Sequence, residues 1–385
     1  MTYFSKEYEK FLAEHFVYDA WQFVLNVQKN VVTAGYCCHV IDSLISKMEQ
    51  EHKEWQDNIN HEVSQQFSKT GAAEVGISYD NLPQFKMDMF GITVDYPFLI
   101  DKYVKDFFQY LRNALDAMAQ VINSALLANN SGNIEKVDYN KIITVLKRDQ
   151  QLQVFTKSLD VLERIQSSSE FNYLTEFNNK IKHISDAKMI MSRELFGDGI
   201  TNEIGAFFKK GNQFSSVDIQ TITKSVYDYI SNEIILLFDA ITEDIKLDAF
   251  IEGRIHKLQY YWQMVKDDPR NSFNVIFTEV NNSIDELNDV ISILFVKTAE
   301  EDISSLNCDY EDILVRDKDE NYVGRFILDE VITDDGLFHY RKYKKDTSDG
   351  HIAFIEQANK KYPIKPLLMD GKIVRVGFNQ EEEDQ

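Results

Sequence analysis

The sequence predicts a mainly α protein: a multi-helix bundle followed by a small C-terminal α+β or β-rich module. Three observations carry this. Gly and Pro number only 15 and 5 in 385 residues, and few breakers mean long uninterrupted elements. Apolar residues recur every three to four positions through most of the first 300 residues, the period of a helix with one buried face. The pattern then shortens to strand-length runs separated by polar turns.

The elements follow in order. Ser5 to Ser68 reads as two helices or one long bent one. Phe11, His15, Tyr18, Trp21, Leu25 and Gln28 step at helical spacing, and Ile41, Leu44, Ile45, Met48, Trp55 and Ile59 continue above an acidic face. Thr70 to Phe85, with two glycines and Pro83, is a loop. Asp95 and Pro97 open a long helix whose apolar spacing lasts from Phe98 to Leu126. Two helices then fill Val137 to Ser168. Ser169 reads as the N-cap of the next, which runs through Phe171, Leu174, Phe177, Ile181 and Ile184. A "KKGNQ" turn marks a small hairpin near 201–219.

Helices return from Val217 to Val265, the last stripe being Phe250, Ile255, Leu258, Tyr261 and Trp262. One more spans Phe273 to Thr298. From Asp309 to Phe378 the chain reads as three strands with turns at "DKDEN" and "TDDG", a short helix "HIAFIEQANKKY" and a strand "KIVRVGF". The predicted organisation is therefore N-terminal helices (1–90) packing on a bundle (91–300), the small module (309–378) and a solvated acidic tail (379–385).

Composition narrows the function classes. Hydrophobic residues at 44% and aromatics at 12% supply a large core, which excludes global disorder. A formal net charge of −22 opposes broad nucleic-acid surfaces and anionic membranes. A local basic pocket stays open, because screening confines surface charge effects to about 10 Å. Three cysteines form no CxxC pair, so no zinc or thioredoxin-like motif is present. The N-terminus lacks an apolar signal core, and no run reaches bilayer length. The expectation is a cytoplasmic protein with no membrane contact. "MEQEH" gives Glu49-x-x-His52, the spacing of di-iron bundles, but no second copy follows, and a solvated acidic face is the expectation. GxSxG, Walker A, GxGxxG and HExxH are absent. Neither a metal nor a cofactor is expected.

The candidate site is "FNNKIKHISDAK", Phe177 to Lys188. On a helix Asn179 and His183 share one face, and Asn178 and Lys182 the adjacent one. The Lys182 cation disfavours an imidazolium beside it, so His183 is expected as a neutral base. Such a base among amides suits deprotonation of a ribose 2′-hydroxyl or the holding of a phosphate. The structural reading makes His183 a partly buried helix residue beside surface lysines. A second basic run, "HYRKYKK", places His339, Arg341, Tyr343 and Lys345 on one strand face. That face suits a small nucleic-acid or acidic-partner patch, or a charged edge strand that discourages pairing.

"YLRNALDAMAQVINSALL" on the long helix, then two helices, then a helix bearing "NNKIKH", resembles the HEPN superfamily of helical bundles over roughly Pro97 to Phe196. The resemblance implies a HEPN-like core and, in the active branch, a metal-independent endoribonuclease, usually a homodimer through the helical bundle. It implies His183 as base, Lys182 and Arg112 as phosphate partners, and Asn178 and Asn179 as orienting groups. Lys180 is a further RNA-binding cation. The chain departs from the pattern, in which four to six residues intervene between an Arg and the histidine: Asn178, Phe177 and Glu176 stand at those three positions. Two functions follow. One is an RNA- or nucleotide-related protein, a defence or toxin-type component. The other is a non-catalytic scaffold or partner-binding protein, its protein partner unknown, with a degenerate motif.

Overall fold

Helices dominate the computed structural model, and most strands gather late in the chain. The structure describes residues 3–15, 17, 20–74, 76, 81–127, 137–148, 150–183, 187–195, 197, 199–209, 212–247, 257–263, 273–287, 289–294, 296–298, 303–305, 312–319, 321–332, 340–348, 350, 351, 353, 356 and 373–376. Of these, the side chains of 150, 151, 183, 209, 257–263, 273–279, 292–294, 296–298, 303–305, 312, 330–332, 340 and 373–376 lie outside the description. Two compact units share the chain. A terminal unit holds Met1–Leu25, Ala117–Leu159 and Phe238–Gln385, and a central unit holds Asn26–Asp116 and Asp160–Leu237.

The central unit is built from parts of long helices. α2 (Ala20–Thr70) enters it at Asn26, and α3 (Tyr96–Leu127) leaves it at Asp116. Val27, Ala34, Cys37, Ile41, Leu44, Ile45 and Met48 form the buried stripe of α2, a helix face of three-to-four spacing. Phe107, Phe108, Leu111 and Leu115 do the same for α3. α5 (Thr156–Ser167) from Asp160, α6 (Ser169–His183), and α7 (Ile219–Ile245) as far as Leu237 complete the helices. Ser168, not Ser169, caps α6: its Oγ accepts the Phe171 N–H at 3.1 Å.

Small sheets decorate this unit. β1 (Lys86–Met89) and β2 (Ile92–Asp95) form a hairpin that sequence reading missed. β3 (Met189–Arg193), β4 (Ile200–Ile204) and β7 (Val217–Asp218) make a three-stranded sheet, and β5 (Phe207–Lys209) pairs with β6 (Asn212–Phe214).

The terminal unit begins with α1 (Lys6–Glu14). Here Tyr3 stacks on Phe238 at 5.2 Å and Tyr8 meets the same ring edge-on at 5.9 Å. Such offset and edge-on ring pairs add to simple burial. The Tyr3 hydroxyl donates to Asp239. α4 (Tyr139–Arg148) buries Tyr139, Ile142, Ile143 and Leu146. Of the first predicted stripe, Phe11 is buried, Trp21 is half-buried, Leu25 is exposed and Tyr18 lies outside the described residues. The buried side there is Phe23 and Val24.

The rest of this unit is a closed barrel, and here the sequence reading needs correction. β8 (Lys257–Gln263) replaces the helix expected through Leu258, Tyr261 and Trp262; Phe250 and Ile255 lie outside the described residues. β9 (Phe273–Glu279), β10 (Val290–Leu294) and β11 (Val296–Thr298) replace the helix expected over Phe273 to Thr298. Both stretches are dense in aromatic and β-branched residues, which fit a pleated surface. Val280, Ile284, Leu287 and Ile291 are buried as the stripe required. They reach the core from a strand end, a 3₁₀ turn capped by Ser283, and a strand. A helical spacing is satisfied by this irregular path too.

β11 pairs aside with β12 (Ile303–Ser305). β13 (Asp312–Arg316), β14 (Tyr322–Ile332), β15 (Tyr340–Lys345) and β16 (Ile373–Val376) follow. The barrel order is β10-β15-β14-β13-β9-β8-β16, closing on itself. All its pairs are antiparallel except β9 with β13. Closure removes open edges. β15 therefore cannot be the edge strand expected of "HYRKYKK": it lies between β10 and β14. Arg341 and Tyr343 are fully buried on its inner face, so this face is no open nucleic-acid patch. The Lys345 Nζ is spent on the Leu287 carbonyl at 3.2 Å and on Asp289 at 2.9 Å. His339, the "TDDG" turn and the tail lie outside the described residues, as does most of the "HIAFIEQANKKY" helix.

Candidate functional site

The polar end of α6 is set by its apolar face. Phe171, Leu174 and Phe177 are buried, and Phe177 meets Phe108 of α3 at 4.5 Å between centroids. That anchoring turns Asn178 inward with it. Asn178 is buried, and its Nδ2 donates to the Phe108 carbonyl at 2.7 Å. Among the described residues its Oδ1 is buried with no hydrogen-bond partner. A helix carbonyl has a second lone pair, so the amide can bond it without breaking the α3 ladder. Asn179 and Lys180 are half-buried and Lys182 is exposed. His183 ends the helix, and its side chain lies outside the described residues.

Arg112 is committed elsewhere. Its Nε and Nη2 donate to the two Asp116 carboxylate oxygens at 3.2 and 3.0 Å. Its Nη1 donates to Thr175 Oγ1 at 3.2 Å, and the guanidinium lies 5.6 Å from the Phe171 ring centroid. A bidentate carboxylate pair holds an arginine more firmly than a neutral hydrogen bond, and a ring face under the cation adds to it. Thr175 precedes His183 by eight positions, or about 12 Å along a helix axis. The structure thus joins Arg112 to α6 two turns before the histidine, and joins Asn178 to the α3 backbone.

The Glu49-x-x-His52 pair has a structural task. Glu49 accepts from Asn202 at 3.0 Å. The His52 Nε2 donates to the Glu194 carbonyl at 3.0 Å, which fixes its tautomer, since a carbonyl only accepts. One turn on, the Gln56 amide donates to the Gly197 carbonyl at 2.9 Å. Three successive turns of α2 so grip the β3–β4 hairpin. Among the described residues no three His, Cys, Asp or Glu side chains are grouped to hold a metal ion. Burial pushes the Cys37 thiol up to about 11 and raises Cys38 as well, so neither is a ready thiolate.

One polar cluster in the barrel escaped sequence reading. Asp346 follows β15 with its side chain only 2% exposed. It accepts from Arg325 Nε at 2.7 Å and from the Ser348 N–H at 3.0 Å, and His351 Nδ1 lies 3.5 Å away. Burial pushes its carboxyl up, but the Ser348 bonds and the Arg325 guanidinium outweigh this and hold it well below the usual range. Only the fold brings Arg325, on β14, to the end of β15.

Residues 256–374 match a family model described as a domain of unknown function, DUF8310. The match covers the barrel from β8 to the first half of β16. It lies outside Pro97 to Phe196, the stretch on which the HEPN resemblance rests. Comparisons with curated proteins and with solved structures give no match. No described helix is long and apolar enough to cross a membrane.

Proposed function

We propose that the chain is a non-catalytic, partner-binding protein in which the polar end of α6 serves the bundle rather than a substrate. The supporting observation is Asn178: it stands where a phosphate-gripping arginine would be expected, yet its amide is spent on the Phe108 carbonyl inside the protein. Arg112, the nearest candidate to replace that arginine, is neutralised by Asp116. A group so paired has little left to stabilise charge developing on a phosphate. The net charge of −22 favours a partner with a basic surface, through steering at long range.

The competing reading is the RNA- or nucleotide-related one, a HEPN-like bundle acting through His183, Lys180 and Lys182. It draws on the exposure of Lys182 at the helix end. An RNA-cleavage assay and a nucleotide thermal-shift assay on wild type and His183→Ala separate the two. We expect no turnover, no shift, and equal melting temperatures. Asn178→Ala is expected to lose about 1–3 kcal/mol of stability as a buried bond is unmade. RNA cleavage by the wild type, abolished in His183→Ala at unchanged melting temperature, would overturn the proposal.

A further inference from the structure

The β1–β2 hairpin of the central unit has no core of its own. Its register pairs Lys86 with Asp95, Met87 with Val94, Asp88 with Thr93 and Met89 with Ile92. Opposite residues share a face. Met87, Met89, Ile92 and Val94 are therefore on one side, and Lys86, Asp88, Thr93 and Asp95 on the other. None of the eight is buried. The turn is Phe90-Gly91 with φ of 56° and 80°, the both-positive pattern of a tight hairpin turn that favours Asn-Gly. An aromatic residue in the left-handed region is strained. Phe90 is also 100% exposed, and Ile92 66%. An isolated two-stranded hairpin is marginal in water, whereas a wider sheet with an apolar face is stable.

The sheet contains only β1 and β2, so among the described residues the outer edge of β1 carries no strand. Closing pairs of a two-residue turn exchange both hydrogen bonds, and bonded pairs alternate along the ladder. Met89 and Met87 thus bond inward to β2, while the N–H and C=O of Lys86 and Asp88 face the open edge. We infer that β1 pairs antiparallel with β1 of a second copy of this chain, Met87 opposite Met87. This register sets Lys86 opposite Asp88 twice, related by a two-fold axis, and lets their outward-facing backbone groups bond each other. A shift by one step of the ladder in either direction sets Asp88 opposite Asp88 or Lys86 opposite Lys86, so charge specifies the register. The outer edge of β2 offers Thr93 and Asp95 and no such complement. The product is a four-stranded sheet, β2-β1-β1-β2, with one continuous apolar face. Repulsion between two acidic copies is screened within about 8 Å at physiological salt, which leaves the local pairs intact. The inference is independent of the role given to α6.

Sedimentation velocity on the full chain tests it. The wild type should be a dimer in the micromolar range. Lys86→Glu turns two attractive pairs into two repulsive ones and should weaken association about tenfold. It sacrifices only the exposed Lys86–Asp95 contact at 3.9 Å, which contributes little. Adding Asp88→Lys to Lys86→Glu should restore the dimer. That swap also removes the Asp88 Oδ1 bond to the Gly91 N–H, 3.1 Å, so a second readout is needed. Met87→Cys should cross-link to a dimer under mild oxidation, beyond the wild-type background, because facing Cα atoms near 4.5 Å suit a disulfide. Thr93→Cys should not. A monomeric wild type, or a dimer indifferent to Lys86→Glu and uncross-linked by Met87→Cys, would overturn the inference. A partner of other sequence or a lipid surface at this hairpin would give the monomeric result.

Discussion

Gly35 shows how one atom sets the spacing of two elements. A Cβ built there would lie 2.6 Å from the Tyr227 Oη, so α2 meets that side chain only because residue 35 has none. Burial raises the Tyr227 hydroxyl, in keeping with its tight surroundings. Gly35→Ala gains about 1 kcal/mol of helix propensity but overpacks the contact, typically at a cost of about 1–3 kcal/mol. The net expectation in urea unfolding is a loss of stability that Tyr227→Phe, by removing the oxygen, largely repairs. A Gly35→Ala protein more stable than wild type would show that Tyr227 swings aside freely. Asn178 teaches the matching lesson for polar residues. Its spacing to Lys182 was legible as one helix face, but the two differ in burial because that face leaves the core at its last turn. Periodicity gives direction around the axis and says nothing of where the neighbouring helix ends.

At the scale of elements, two carboxylates hold ends and turns with opposite dependence on pH. Asp244, buried on α7, accepts the Ser158 N–H in the first turn of α5 at 2.9 Å. Burial raises its carboxyl despite that bond. The folded state therefore holds the proton more tightly than the unfolded state. The stability linked to Asp244 is complete below its unfolded value, near 3.8, and is lost as pH rises through the folded one. Asp346 is depressed, so its contribution is present above the same unfolded value and is lost as pH falls through the folded one. Compared with wild type, Asp244→Asn should gain relative stability as pH rises from acid toward neutral. Asp346→Asn should lose it over the acid range. Denaturant midpoints across pH measure both, and parallel curves for all three proteins would remove either carboxylate from the account. The same scale shows why strands were misread. Val280, Ile284, Leu287 and Ile291 are all buried as their spacing predicted, yet a strand end, a 3₁₀ turn and a strand deliver them. Short apolar runs do not distinguish helix from strand by period alone.

For the whole molecule the dominant quantity is charge. A net −22 over one chain makes the folded state repel itself. Added salt screens that repulsion, so the melting temperature should rise from low to moderate ionic strength. A fall would mean that surface ion pairs such as Arg164–Glu233, 2.6 Å, outweigh it. The sequence by itself determined the long helices, the start of α3 beside Pro97, the acidic balance and the stock of apolar residues for the cores. Each of these is local: it follows from spacing, breakers and composition within one stretch. Only the tertiary structure decided that residues 257–263, 273–279 and 290–294 join the barrel as strands and that Arg341 faces inward. The same holds for Arg112, which answers to Asp116, and for the hairpin at Lys86, left without a third strand among the described residues. Those outcomes depend on which distant strand or helix supplies a partner. A backbone hydrogen bond, a buried guanidinium and an unpaired edge are defined by what lies across the gap, and that is not written in the neighbouring residues.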